Sequence, residues 1–133
     1  MVACCASPYS LILDSSYVIV NVLCKPDVKE YIARIQGRFP GRILSVTLFG
    51  SKARGDADAE SDIDLLVLVD VESNQFRSEL WRIASSVSLD YNVVISPRAF
   101  DQSRWAGTRR IRIPLYRAVA ADGIPLTPEP VPV

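Results

Sequence analysis

The residues able to do chemistry in this chain gather in one stretch. It reads Leu48-Phe49-Gly50-Ser51-Lys52-Ala53-Arg54-Gly55 and, five residues later, Ser61-Asp62-Ile63-Asp64-Leu65. Gly50 follows an apolar, β-branched run and opens a turn; with no Cβ there, a phosphate can come close to the backbone. Ser51 offers a hydroxyl and a backbone N–H at the start of a helical turn, which is a seat for an anion. Arg54 adds a fixed positive charge that can fork onto phosphate oxygens. Asp62 and Asp64 stand two residues apart, so on a strand both carboxylates leave the same face. Two negative charges held that close repel unless a cation lies between them. A hard divalent cation such as Mg²⁺ suits the place, because it takes oxygen ligands and keeps phosphate oxygens in its shell. Taken singly, a Gly-Ser turn, an Asp-x-Asp strand and a surface arginine are commonplace. Their joint spacing is not, and it describes metal-assisted phosphoryl or nucleotidyl transfer.

Composition narrows the alternatives. There is no histidine among the 133 residues. Ser-His-Asp hydrolysis, Cys-His chemistry and His-ligated zinc are therefore excluded together. The three cysteines, Cys4, Cys5 and Cys24, are odd in number and crowded near the start, so a disulfide framework is not expected and a reducing cytoplasm is. Fifteen basic and fifteen acidic side chains cancel. No net positive field attracts nucleic acid in general. The apolar run Tyr17 to Cys24 is too short to span a bilayer, and no basic residue precedes it, so neither a membrane span nor a secretory signal is expected.

The elements that must position these groups follow from periodicity. Residues 1–24 read as an N-terminal extension, with a strand expected over Tyr17–Leu23. Pro26 and Asp27 suit a helix start, and Val28, Tyr31, Ile32 and Ile35 give it one apolar stripe. Ile43–Phe49 reads as a strand. So does Asp62–Asp70, with Asp62, Asp64, Leu66, Leu68 and Asp70 on one face and Ile63, Leu65, Val67 and Val69 on the other. Ser73 can cap a helix with stripe Phe76, Leu80, Ile83, Ala84 and Val87. Tyr91–Ser96 reads as a strand closed by Pro97, and Arg109–Ala121 as one last helix. Prolines 125, 128, 130 and 132 mark the final nine residues as a loose end. The alternation predicts an α/β (α+β) single domain over 25–126, a mixed sheet with flanking helices, and a Pro-rich tail over 127–133.

The Gly50–Gly55 and Ser61–Leu65 segments, with their spacing, resemble the signature of the polymerase-β-like nucleotidyltransferases. The resemblance is nearest to the minimal nucleotidyltransferase group and runs from about Pro26 to Leu126. It implies the polymerase-β-like palm fold. It implies Mg²⁺ held by Asp62 and Asp64, with a two-metal site compatible, and a nucleoside triphosphate, ATP or another, held at Gly50, Ser51, Arg54 and Ser61. It further implies transfer of a nucleoside monophosphate with release of pyrophosphate. Many proteins of the group are antitoxins of HEPN-type ribonuclease toxins and act by transferring AMP to them or by binding them. A homo- or hetero-oligomer would be compatible with that partner.

The family usually carries a third carboxylate on a later strand. The position expected to align with it is Asn92, a neutral amide and a poor base. Asp90 could substitute if the strand already runs through it, and could not if a turn intervenes. Trp81 and Trp105 are expected in packing or a partner surface, since no basic groove is legible around Trp81. Arg98, Arg104, Arg109, Arg110, Arg112 and Arg117 make the second half locally basic, as a patch for an acidic partner or as a solvated helix face. Three readings follow: an enzyme acting on a partner protein, an antitoxin weakened in catalysis that acts by contact alone, and a small-molecule adenylyltransferase aided by another chain.

Overall fold

A computed structural model of the chain describes residues 26–50, 53 and 62–127. The expected Tyr17–Leu23 strand, the cysteines and residues Ser51, Arg54 and Ser61 lie outside them. The first helix, α1 (Pro26–Arg38), starts on proline and buries Val28, Tyr31 and Ile35 as its stripe predicts. Strand β1 (Ile43–Phe49) then runs antiparallel to β2 (Ile63–Val69). Helix α2 (Asn74–Tyr91) is capped by Ser73, whose hydroxyl accepts the Phe76 N–H at 3.1 Å. It leads to β3 (Ile95–Asp101), parallel to β2. Helices α3 (Gln102–Ile111) and α4 (Pro114–Asp122) follow, and β4 (Ile124–Pro125) pairs antiparallel with β1. Among the described residues the sheet is mixed and four-stranded, in the order β3-β2-β1-β4.

The strands are apolar on both faces because helices cover both. Ile63, Leu65, Val67 and Val69 of β2 pack toward α1 and α2 with Val46 and Leu48 of β1. Leu66 and Leu68 face the other way, with Phe49, Phe100, Trp105, Tyr116 and Val119. Phe39 and Phe76 stack at 4.1 Å beneath the first core, and Trp105 meets the edge of Phe100 at 5.6 Å in the second. The expected alternation of β2 thus holds, and Asp64 lies on the α3/α4 face.

Three expected boundaries are corrected. The strand after α2 begins at Ile95, not Tyr91, because the helix continues through Tyr91 and ends at Asn92 in the left-handed conformation (φ 54°). The Ser88 hydroxyl then accepts the Ile95 N–H at 3.1 Å, which fixes where the strand starts. The single last helix is two helices, broken at Arg112 with φ 53°. The chain from Pro125 is not all loose: Leu126 is buried and donates to the Val46 carbonyl at 2.9 Å, and the Thr127 hydroxyl accepts the Val46 N–H at 3.1 Å. No described helix is long and apolar enough to cross a membrane.

Candidate active site

The site is built where β1 ends and β2 begins. The antiparallel register sets Phe49 opposite Asp64, so the turn after Phe49 emerges beside the Asp64 carboxylate. Gly50 has φ 78°, a left-handed conformation that costs an L-residue about 1–2 kcal/mol. A Cβ on Gly50 would stand 2.5 Å from Asp64 Oδ2. The backbone conformation favours glycine here, and any larger residue would displace the Asp64 carboxylate. The Ala53 N–H donates to the Gly50 carbonyl at 3.1 Å, and Ala53 is buried in the α1/α2 core, which anchors the far side of the turn.

Asp64 is half-buried on the α3/α4 face. Asp62 stands one residue before β2, exposed, and the strand alternation carried back through Ile63 places it on the same side. Ile63 is held from both directions: its side chain is in the first core, and its N–H donates to the Val94 carbonyl at 2.8 Å. Gly50, Asp62 and Asp64 thus come together at one end of the sheet. The two carboxylates and the close turn fit a divalent cation of the magnesium kind, which takes few protein oxygens and fills its shell with water and phosphate. Among the described residues no group of three or more His, Cys, Asp or Glu side chains could hold a metal, and Asp62 and Asp64 are the carboxylates that the start of β2 offers one.

Asp90 and Asn92 are not brought into this arrangement on a strand. A turn does intervene, which is the condition under which Asp90 could not substitute. Asp90 lies in the last turn of α2, and its carboxylate accepts from Arg34 of α1 at 3.3 Å. Asn92 is the exposed helix cap. The β3 residue paired with Asp64 is Ser96, half-buried and on the same face. The parallel register alone reveals Ser96; in the sequence it is masked by Pro97, which reads as a strand end but sits inside an edge strand, where proline is tolerated.

A mixed sheet with a parallel β2-α2-β3 crossover, and a glycine turn pressed against a paired aspartate, defines the nucleotide-transferring class of fold. The chain belongs to the nucleotidyltransferase domain family, whose model matches residues 28–119. It is 33% identical over 96 residues to a candidate protein adenylyltransferase of Methanocaldococcus jannaschii, covering 72% of this chain and 90% of the relative. A second candidate protein adenylyltransferase of that organism is 41% identical over 77 residues, covering 57% of this chain and 78% of the relative. A crystal structure of a toxin–antitoxin complex with AMP-PNP shares the fold at TM-score 0.53 and 21% identity, covering 74% of this chain and 72% of that one. A mutant MntA-HpeT toxin–antitoxin complex matches at TM-score 0.51 and 20% identity, covering 77% and 73%.

Proposed function

We propose that the chain is a Mg²⁺-dependent nucleotidyltransferase that moves AMP from ATP to a hydroxyl of a partner toxin of the HEPN type, and so acts as an antitoxin. The observation that carries this reading is the contact between the Gly50 turn and the Asp64 carboxylate, with Asp62 beside it. The adenylyltransferase relatives support AMP as the group moved, and the toxin–antitoxin neighbours support the partner.

In this reading Asp62 and Asp64 hold the cation, which when bound supplies charge neutralisation at the triphosphate. The Gly50 turn admits phosphate oxygens to the backbone, and Ser51, Arg54 and Ser61 complete the anion seat. The acceptor oxygen forms a bond to the α-phosphorus as the bond to the β-phosphate bridging oxygen breaks. Pyrophosphate leaves, and the acceptor proton passes to solvent. The protein contributes chiefly position and electrostatics, as in other phosphoryl-group transfers.

A second reading has its own observation. Ser96 beside Asp64 is neutral, Asp90 is turned to Arg34, and the one β3 carboxylate, Asp101, lies at the far end opposite Val69, so the position next to Asp64 holds no third carboxylate. A protein so built could neutralise its toxin by contact alone. The test uses ATP labelled at the α-phosphate, Mg²⁺ and the partner protein. Label should pass to the partner with wild type and fall at least about a hundredfold with Asp64→Ala, since a metal-held charge is worth several kcal/mol. Equal transfer by that variant contradicts the enzyme. A stable, inactive complex with both wild type and Asp62→Ala/Asp64→Ala supports the second reading.

A further inference from the structure

Beyond the aspartates, β3, the outermost strand among the described residues, carries a second feature along its edge. A cavity of about 180 Å³ opens there, roughly the volume of six waters, between α2 on one sheet face and α3 and α4 on the other. Arg77, Trp81, Arg98, Phe100, Arg104 and Leu115 line it. Trp81 is 43% exposed and Trp105 is 1% exposed in the core, so Trp105 takes the packing alternative and Trp81 lies on the surface. The expectation of no basic groove around Trp81 is corrected by the fold: α2 supplies Arg77, β3 Arg98 and α3 Arg104.

The charge there is not balanced. Glu72, with a side chain only 7% exposed, accepts from Arg77 at 2.9 Å and from Arg104 at 2.6 Å. That single carboxylate holds two guanidiniums in place. Arg98 is exposed and makes no hydrogen bond or ion pair with the described residues. Arg77 Nε is buried without an acceptor among them. Among the described residues, three guanidiniums stand against Glu72 and against Asp101, whose carboxylate already accepts the Arg104 backbone N–H at 2.8 Å; with five N–H donors each, the guanidiniums leave positive charge and donors to spare for oxygen anions. Phe100 and Leu115 add apolar wall, and the exposed indole offers a flat face to a cation or an apolar side chain.

The position is as informative as the charge. Arg98 is two residues along β3 from Ser96, which pairs with Asp64. One strand spacing and two residues of rise put its Cα about 8 Å from that of Asp64. In-line transfer requires the incoming hydroxyl to enter opposite the departing pyrophosphate. The Gly50 turn, on the β1 side of Asp64, is the phosphate side. The acceptor therefore enters over β3, beside this cavity.

We propose that the Arg77–Arg98–Arg104 cavity anchors an acidic, partly apolar segment of the acceptor protein and holds its hydroxyl toward Asp64. The direction of entry rests on the nucleotidyl-transfer reading; the excess charge and the cavity do not. A protein segment is favoured over nucleic acid because the whole chain has no net charge and the arginines form one pocket with apolar walls, not a track that follows a phosphate backbone.

The test reads Trp81 fluorescence in the full chain, with Trp81→Phe to identify the signal. The probe is a synthetic peptide of alternating Glu and Leu around one Ser; its Gln counterpart and an oligouridylate of equal charge are the comparisons. The acidic peptide should shift Trp81 emission saturably, and the Gln peptide should not. Arg98→Glu should weaken binding at least about tenfold and Arg98→Lys much less, with ATP affinity unchanged in both. No response to the acidic peptide, an equal response to the Gln peptide, or an unaltered affinity in Arg98→Glu overturns the proposal, and tighter binding of oligouridylate replaces the protein acceptor by a nucleic acid. Because the readout needs no turnover, a chain that binds the peptide but never transfers AMP refutes the proposed function and leaves the pocket standing.

Discussion

At the scale of single residues, the site turns on Gly50. Its positive φ favours a missing side chain, and an added one would have to move the Asp64 carboxylate. Gly50→Ala should therefore do more than strain the turn. The methyl has to push Asp64 aside, and a displacement of that size can cost about a hundredfold in rate. We expect folding stability to fall by about 1–2 kcal/mol and transfer to fall much further. Urea unfolding beside a transfer assay separates the two; a loss of stability with full activity contradicts the role given to the turn. Gly50, Asp62 and Asp64 were legible in the sequence because strand alternation and a glycine turn suffice to bring them together. Ser96 was not, because its place depends on which β3 residue pairs with Asp64, and that is set by where α2 ends. Ser51, Arg54 and Ser61 belong to the same motif and lie outside the described residues.

At the scale of elements, local signals decided α1, β1, β2 and the Ser73 cap, where stripe, β-branching and capping chemistry agree. They misled at β3. Tyr91, Val93 and Val94 favour a strand by type, yet α2 keeps Tyr91, and the left-handed Asn92 turns the chain before the ladder begins. Tertiary pairing then carries β3 through Pro97 to Asp101, past the residue that looked like its end. Strand β1 holds a contrasting detail. Thr47 is buried with no partner for its hydroxyl among the described residues, and a Cβ on Gly123 would stand 3.1 Å from its Cγ2. An unsatisfied buried hydroxyl costs about 1–3 kcal/mol. Thr47→Val keeps the branched shape and removes that cost, so thermal unfolding should move upward by the equivalent of about 1 kcal/mol. A downward shift of that size would mean that the hydroxyl is bonded after all.

At the scale of the whole molecule, two cores clasp one sheet, and the buried Tyr31 ties α1 to α2. Its hydroxyl donates to the Leu80 carbonyl at 3.2 Å, and burial raises its pKa well above the ordinary 10.0. A raised folded-state pKa gives stability that is intact below the unfolded value and is lost as pH rises through the folded one. The fold should thus weaken above about pH 10, where the unfolded phenol ionises and the buried one does not. Tyr31→Phe should cost about 0.5–1.5 kcal/mol near neutrality and flatten that alkaline decline. Urea midpoints of both proteins across this range check it; parallel curves contradict it. At the acid end, Asp70 is held below its ordinary pKa by the Val71 N–H and then Arg42, and Glu79 by Arg82 and then Arg38. Their contributions are present at neutral pH and fade as pH falls below about 4, though both are surface groups and the effect is small. Of the arginines that made the second half locally basic, Arg98 and Arg104 join Arg77 of α2 in a pocket because three separate elements meet at the β3 edge; Arg109, Arg110, Arg112 and Arg117 do not line it.

The account stands or falls on whether the Gly50 turn and the aspartate pair hold a metal-bound triphosphate. The most direct measurement is NMR of the ¹⁵N-labelled chain titrated with Mn²⁺ in the presence of a non-hydrolysable ATP analogue. Paramagnetic broadening should appear first at the amides of Gly50, Asp62, Ile63 and Asp64, spare Asp70 and Glu79 at the far end of the sheet, about 20 Å along β2, and vanish in Asp62→Asn/Asp64→Asn. Broadening that is scattered over surface acids, or that survives in the double variant, would contradict it.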